Sequence, residues 1–349
     1  MTARQPQLAV WRLFDLADEI DLHRVSGARF ALQRMRSGAV RLEEAPVELE
    51  LPPARARGRE GSVRARVYPF GVVALSWRTP LGERLPWSEL EAAVLELAGA
   101  PEVDSILRER LEGLVGGLAP AMRRPQSEPG EEGFYVVHVG GIEPALAAEE
   151  LPGRVDLAPL VLGEAVRAST QVRQDLERRS FSYGDGDLAV LGFEGVFIYD
   201  REGIWDIADL VEWVHAELLE LDYYDRVLAQ ALESAPEVLR ELGWGRYGRL
   251  ARLRRSLMER HAEINEVQTR LAGALRITED LFYARVHRAA TELYGARELA
   301  AAVQAKLGTL TEIYRMVSEE MQFRRAQAVE VAILALIALE VVWALLGRT

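Results

Sequence analysis

Ser62-Val63-Arg64-Ala65-Arg66-Val67-Tyr68-Pro69-Phe70-Gly71-Val72-Val73-Ala74-Leu75-Ser76-Trp77 decides how the first half of the chain is read. Val63, Ala65 and Val67 alternate with arginines, the period-two pattern of a strand with one apolar and one solvated face. Pro69 interrupts that strand because it has no N–H to give a ladder. The apolar run at 70–77 that follows predicts a strand buried on both sides. Towards the N-terminus, residues 8–14 read as a strand, 22–35 as a helix and 39–51 as an alternating segment. Towards the C-terminus, 87–98 and 103–114 read as helices, with Ser88 as N-cap of the first. Residues 123–133 hold Pro125, Pro129 and several acids, and read as a linker or exposed loop. A strand at 134–139 closed by Gly140-Gly141, a helix at 162–179, a turn at 182–187 and a two-part strand at 188–191 and 193–199 complete this half. The expectation is an α+β fold: an α/β-sandwich-like domain over 1–200, with a sub-boundary at 123–133.

No proline follows Pro236, leaving 113 residues free of it. Within 201–325 the apolar positions step by three and four, as packed helices require. Ile207, Val211, Val214, Leu218, Leu221, Leu228 and Leu232 form one stripe, with Asp225 in its seam. Gly243-Trp244-Gly245 breaks it, and a second stripe from Leu250 to Leu271 contains His261. A third helix is expected at 278–294, capped by Thr278 and Gly295. A fourth, from Leu299 to Met321, has nothing to stop it before the apolar tail. The reading is a bundle or stalk over 201–325, running on into the tail as one helix.

The tail, 326–347, is long enough at about 33 Å to cross a hydrocarbon core of about 30 Å. Val, Leu and Ile occupy eleven of its positions, together favourable by about 3 to 7 kcal/mol. Against this stand Glu330, one turn from the start, and Glu340, about 5 Å past the midpoint, where a charged carboxylate near the centre costs on the order of 2.5 to 3.5 kcal/mol. Insertion as a lone helix is marginal, so Glu340 is expected to be protonated or to face another helix. Trp343 suits a membrane interface. The other reading is an amphipathic core helix of a soluble protein. Arg324 and Arg325, with Arg315 further back, precede the run and Arg348 alone follows it; the positive-inside bias then puts the large N-terminal part in the cytoplasm.

At 349 residues and 49% apolar, the chain can bury substantial cores. Its net charge of -12 argues against a general grip on phosphate backbones, and nothing in it points to nucleic acid. Lys306 is the one lysine against many arginines, which reads as base-composition bias of a GC-rich bacterial genome. Cysteine is absent, excluding disulfides, thiolate metal sites and cysteine nucleophiles. The acidic segment around Asp15, Asp18 and Glu19 is unlike a signal or transit peptide.

Motifs of chemistry are missing. No Gly-Lys-Ser/Thr phosphate loop, Gly-x-Ser-x-Gly elbow or His-Glu-x-x-His helix occurs. His138 and His261 read as satisfied structural histidines, and Asp185 and Asp187 as turn residues. One polar constellation stands out: Glu263, Asn265 and Glu266 on the second helix, facing Glu279, Asp280, Tyr283, Arg285 and Arg288 on the third. Such carboxylate–arginine pairs fix register as readily as they catalyse. No residue is assigned to catalysis, metal or cofactor.

Several stretches, taken in order, resemble the family named for its requirement in meiotic nuclear division, a domain of unknown function shared by bacteria and eukaryotes. They are Ala17-Asp18-Glu19-Ile20-Asp21-Leu22, the 67–77 strand quoted above, Leu218-Leu219-Glu220-Leu221-Asp222-Tyr223-Tyr224-Asp225, and the tail 332–341 that carries Glu340. This chain is similar to a divergent bacterial member. The resemblance implies a membrane-bound scaffold and supplies no catalytic residues. The expectation is therefore a single-pass protein of the bacterial inner membrane, homo-oligomeric, without enzymatic activity, holding an unknown protein partner. The rivals are a membrane-associated, metal-dependent hydrolase using Glu263, Asp280 and Arg285, and an ion-conducting oligomer lined by Glu340.

Overall fold

A computed structural model of the chain describes residues 1–25, 32–34, 45–165, 168–240, 258, 262 and 280–346. Contacts divide the chain into two units, Met1–Tyr223 with Thr269–Ala300, and Tyr224–Gln268 with Ala301–Thr349.

The first unit is built on strands β1 (Thr2–Arg4), β2 (Gln7–Ile20), β3 (Leu32–Arg34), β4 (Val47–Ala56), β5 (Arg59–Val67), β6 (Val72–Pro80) and β7 (Arg84–Pro86). Helices α1 (Trp87–Ala98) and α2 (Pro101–Leu118) follow, then β8 (Met122–Val139) and β9 (Gly141–Glu143). Short helices α3 (Leu151–Arg154), α4 (Ala158–Leu162) and α5 (Thr170–Arg178) lead to β10 (Ser180–Phe181), β11 (Asp187–Leu191) and β12 (Gly195–Asp200). Nine strands form one sheet in the order β10-β11-β12-β8-β2-β6-β5-β4-β3, and β7-β1-β9 form a small second one. Only the β12–β8 pairing in the large sheet is parallel.

Central strand β2 shows why the sequence folds this way. Its Leu8, Val10 and Phe14 enter a core shared with α1, α2 and α4, while Ala9, Trp11 and Leu13 enter a separate core on the opposite face. That second core is closed by helices α6 (Asp206–Arg240) and α7 (Leu281–Leu293), through Val211, Val214, Val286 and Ala290. The sheet is thus covered on both faces, and each fully buried aliphatic side chain contributes roughly 1.5–3 kcal/mol. Gly71, at φ +92°, lets the chain turn from β5 into β6; a Cβ there would lie 1.5 Å from the Ala17 carbonyl oxygen.

Four expectations are corrected. Residues 123–133 belong to β8, paired with β2 through Ala17↔Pro125 and Glu19↔Arg123. Its partner on the other side, β12, reaches only Tyr135 to Val139, so the prolines sit on an open edge, where no second ladder needs their missing N–H. Residues 32–34, expected in a helix, form β3 against β4. The helix expected at 162–179 is shorter: α4 ends at Leu162, with Gly163 left-handed after it, and α5 begins only at Thr170, where Ser169 caps it by accepting from the Val172 N–H. Ser88 does not cap α1: Pro86 occupies that position, and the Trp87 N–H donates to the Met1 carbonyl at 3.0 Å.

In the second unit, the later part of α6 carries Asp225, which meets Lys306 of α8 (Ala296–Leu346) at 2.8 Å. Val303, Leu307 and Leu310 of α8 are buried. The 51 residues of α8 are one continuous helix from the expected stalk into the apolar tail. The apolar positions of the second expected stripe from Leu250 to Leu271, His261 and the Gly243-Trp244-Gly245 break lie outside the described residues.

Candidate functional site

Residues 326–343 of α8 form an 18-residue stretch long and apolar enough to cross a membrane, and none of it is buried. Leu334, Leu336 and Leu339 are more than half exposed, and Trp343 is 80% exposed. Glu330 and Glu340 are exposed within the same stretch. Arg324 and Arg325 lie on the helix just before it, their side chains outside the described residues.

Of the expected polar cluster, Glu263, Asn265, Glu266 and Glu279 lie outside the described residues. Asp280 is the N-cap of α7, its carboxylate accepting from the Phe282 N–H at 2.7 Å. Tyr283 donates to Asp206 at 3.3 Å, and Arg285 is exposed. Asp280 thus does capping work in place of the expected Thr278.

A different polar centre lies between the sheet and α6. Glu212 accepts from Trp11 Nε1 at 2.9 Å, Arg66 at 2.8 Å and the Tyr68 hydroxyl at 2.8 Å, while Arg66 also meets Asp209 at 2.7 Å and Glu48 at 2.9 Å. Burial works to discharge the Arg66 guanidinium, but Glu212 and Asp209 outweigh it and hold its pKa well above the ordinary value. The alternation at 63–67 assigns these arginines to solvent; the structure instead covers Arg66 with α6. Asp209 and Glu212, three apart beside buried Val211, are the trace of this in the sequence. Next to it, Arg78 lies 3.6 Å over the Trp205 ring, on which His138 also stacks at 4.8 Å. Burial, with Arg64 nearby, lowers Arg78 to about 10, and burial lowers His138 to about 4. Stacking on the Trp205 ring holds His138 in place.

On the opposite side, a cavity of about 620 Å³ opens between the end of α1, β8 and the Gly163 turn. Arg12 and Arg108 line it, but Arg12 is bound to Asp104 at 2.8 Å and Arg108 to Glu131. The exposed Glu164 and Glu194 add further carboxylates at its rim, while the Glu132 side chain turns to the α6 face, 3.9 Å from His215 Nδ1. Tyr135, 5% exposed, stands behind the wall with its hydroxyl packed against the Gly163 backbone. Among the described residues no group of three or more acidic, histidine or cysteine side chains is arranged to hold a metal ion.

The two-faced sheet and the apolar helix define a mixed α+β protein with, among the described residues, one segment long and apolar enough to span a membrane. The family model described as "Uncharacterized protein MJ0711, N-terminal domain" matches residues 5–205, and the chain belongs to that family. It is similar to Uncharacterized protein MJ0711 of Methanocaldococcus jannaschii, at 24% identity over 174 residues, covering 49% of this chain and 53% of the relative. The chain therefore spans about half the length of the curated relative it matches. No solved structure matches it.

Proposed function

We propose that this protein is a non-enzymatic, membrane-anchored scaffold that assembles with copies of itself and holds a protein partner near a membrane. One observation carries the reading: none of the apolar stretch 326–343 is buried among the described residues. A core helix of a soluble protein would be mostly buried. Leaving this much contiguous apolar surface in water is unfavourable, and lipid or a partner helix relieves it. Arg315, Arg324 and Arg325 before the stretch favour a cytoplasmic N-terminal part, and the arginine-for-lysine bias favours a bacterial inner membrane. The resemblance of segments such as 218–225 and 332–341 to the meiotic nuclear division family supports the scaffold role. Carbonate extraction of native membranes tests the anchor: the full-length protein is expected to stay in the pellet, and its release into the soluble fraction overturns the proposal. Protease added to right-side-out spheroplasts is expected to leave the N-terminal part intact.

A further inference from the structure

We infer that Ser62, Arg64, Ser76 and Arg78, on the sheet face beside the start of α6, form a binding site for a phosphate group, free or carried on a lipid headgroup. The inference is independent of the membrane anchor, since all four residues belong to the sheet-bearing unit.

Strand register brings the four together. Ser62 of β5 lies directly across from Arg78 of β6, and Arg64 directly across from Ser76. Opposed residues of an antiparallel pair share a face, as do residues two apart on one strand, so the arginines and serines alternate in a square on one side of the sheet. It is the face that α6 covers further along, where Arg66 lies across from Ala74 of the second core. Cover thins at the square: Ser62 is exposed, while Arg64, Ser76 and Arg78 are half-buried. The donors are therefore rooted in paired strands and still reachable from solvent.

Arg78 carries the argument. Its guanidinium is fixed 3.6 Å over the ring of Trp205, the residue just before α6, yet it makes no hydrogen bond or ion pair among the described residues. A cation drawn this far from water ordinarily finds a carboxylate. The acids close by are committed elsewhere: Asp209 and Glu212 to Arg66, and Glu48 to Arg66 at 2.9 Å and to Arg64 at 3.5 Å. Burial first, and then the charge of Arg64, press against the Arg78 charge, and the pull of Asp209 and Glu48 does not cancel them. An anion between the two guanidiniums offsets both pressures. The Ser62 and Ser76 hydroxyls, which have no side-chain partner among the described residues, add two neutral donors at the same place. A tetrahedral phosphate has oxygens enough for two guanidinium forks and two hydroxyls, whereas one fork already occupies both oxygens of a carboxylate. Glu50, exposed and directly across from Arg64 on β4, opposes any anion held here.

Calorimetric titration of the full-length protein in non-ionic detergent with inorganic phosphate tests this, with dihexanoyl phosphatidic acid as the lipid arm and acetate and dihexanoyl phosphatidylcholine as comparison ligands. Saturable one-to-one binding of phosphate or of phosphatidic acid is expected, the tighter of the two naming the source, and both comparison ligands should bind about tenfold more weakly or worse. Arg78→Gln should weaken binding about tenfold or more, and Arg78→Lys, which keeps the charge but loses the fork, about threefold. Ser62→Ala, at an exposed hydroxyl, should weaken it about threefold without moving the thermal midpoint. Glu50→Gln should tighten it about twofold, and Arg154→Gln, exposed on α3 outside the square, should change it by less than that. Should Arg78→Gln fail to fold, Ser62→Ala and Glu50→Gln decide. No saturable binding, acetate binding as tight as phosphate, or an affinity that Ser62→Ala and Glu50→Gln both leave unchanged overturns the inference.

Discussion

Glu212 is 1% exposed and is the acceptor for three side chains, from β2, β5 and the segment just after it. A buried carboxylate is tolerable only while its lone pairs and charge are met. Glu212→Gln leaves Arg66 short of one counter-charge and turns an acceptor into a donor facing Trp11 or Tyr68. The expected loss is roughly 3 kcal/mol in urea denaturation, the scale for breaking one side of a buried ion pair; a loss below about 1 kcal/mol would mean water already shares the site. Glu217 poses the opposite problem. It accepts from Trp213 Nε1 at 2.7 Å, and burial pushes it up to about 8 despite that bond. Unfolded, it ionises near 4.5, so between pH 4.5 and 8 the folded protein holds a proton the unfolded chain has released. Stability therefore falls as pH rises through this range. His138 and His215, lowered by burial to about 4 and about 3, are neutral when folded and take up protons on unfolding, which makes stability rise with pH up to about 6.5. The two trends oppose each other below 6.5 and Glu217 acts without them above it. Stability is expected to drop by about 1.4 kcal/mol per unit from pH 6.5 to 8. Glu217→Gln should flatten that segment of the profile, and an unchanged slope would assign it to another group.

At the level of elements, α7 begins where Asp280 accepts from the Phe282 N–H. Asp280→Ala should cost about 1 kcal/mol in thermal or urea unfolding, and Asp280→Asn, still able to accept, much less. A loss of more than about 3 kcal/mol would show a role beyond the cap. The same helix shows what the sequence makes legible. Apolar spacing locates α1, α2, α6 and α8, because a stripe facing a core is a local property of the helix. The mixed α+β class follows from the alternation at 63–67 and the apolar run after Pro69. What stays hidden is whatever depends on a distant partner. The 123–133 segment looks like a loop from its prolines and becomes a strand only because β2 is long enough to pair with it. Arg66 looks solvent-facing until Asp209 and Glu212, far along the chain, arrive above it. The cavity is hidden more deeply, since Tyr135, Gly163 and Glu194 are joined only by the turn of three separate segments.

For the whole molecule, the decisive balance is between the apolar tail of α8 and its two glutamates. The eleven Val, Leu and Ile side chains favour insertion by about 3 to 7 kcal/mol, while a charged Glu340 near the centre costs about 2.5 to 3.5 and Glu330, one turn from the start, adds a smaller cost. A solitary helix is then close to indifferent between membrane and water, and something must shield the acids. Glu330 and Glu340 are ten residues apart, or about 80° around the helix, so one neighbour can cover both. Glu330, Ile333, Ile337 and Glu340 step by three and four, a single seam in which the carboxyl groups of two copies can hydrogen-bond to each other while their apolar neighbours interlock. Glu340→Leu removes the larger obstacle to solitary insertion and, with it, the need for company. If the proposed anchor and self-association hold, the mutant is expected to resist carbonate extraction at least as well as the native protein while losing that association. The chain has no cysteine, so a single Ile337→Cys substitution reports that association directly as a disulfide-linked dimer on mild oxidation in membranes. Strong crosslinking with Glu340 present and its collapse in the Glu340→Leu background is the expected pair of results. Equal crosslinking in both would show that the glutamate is shielded within one chain or by a different protein, and that copies of this protein do not meet through this seam.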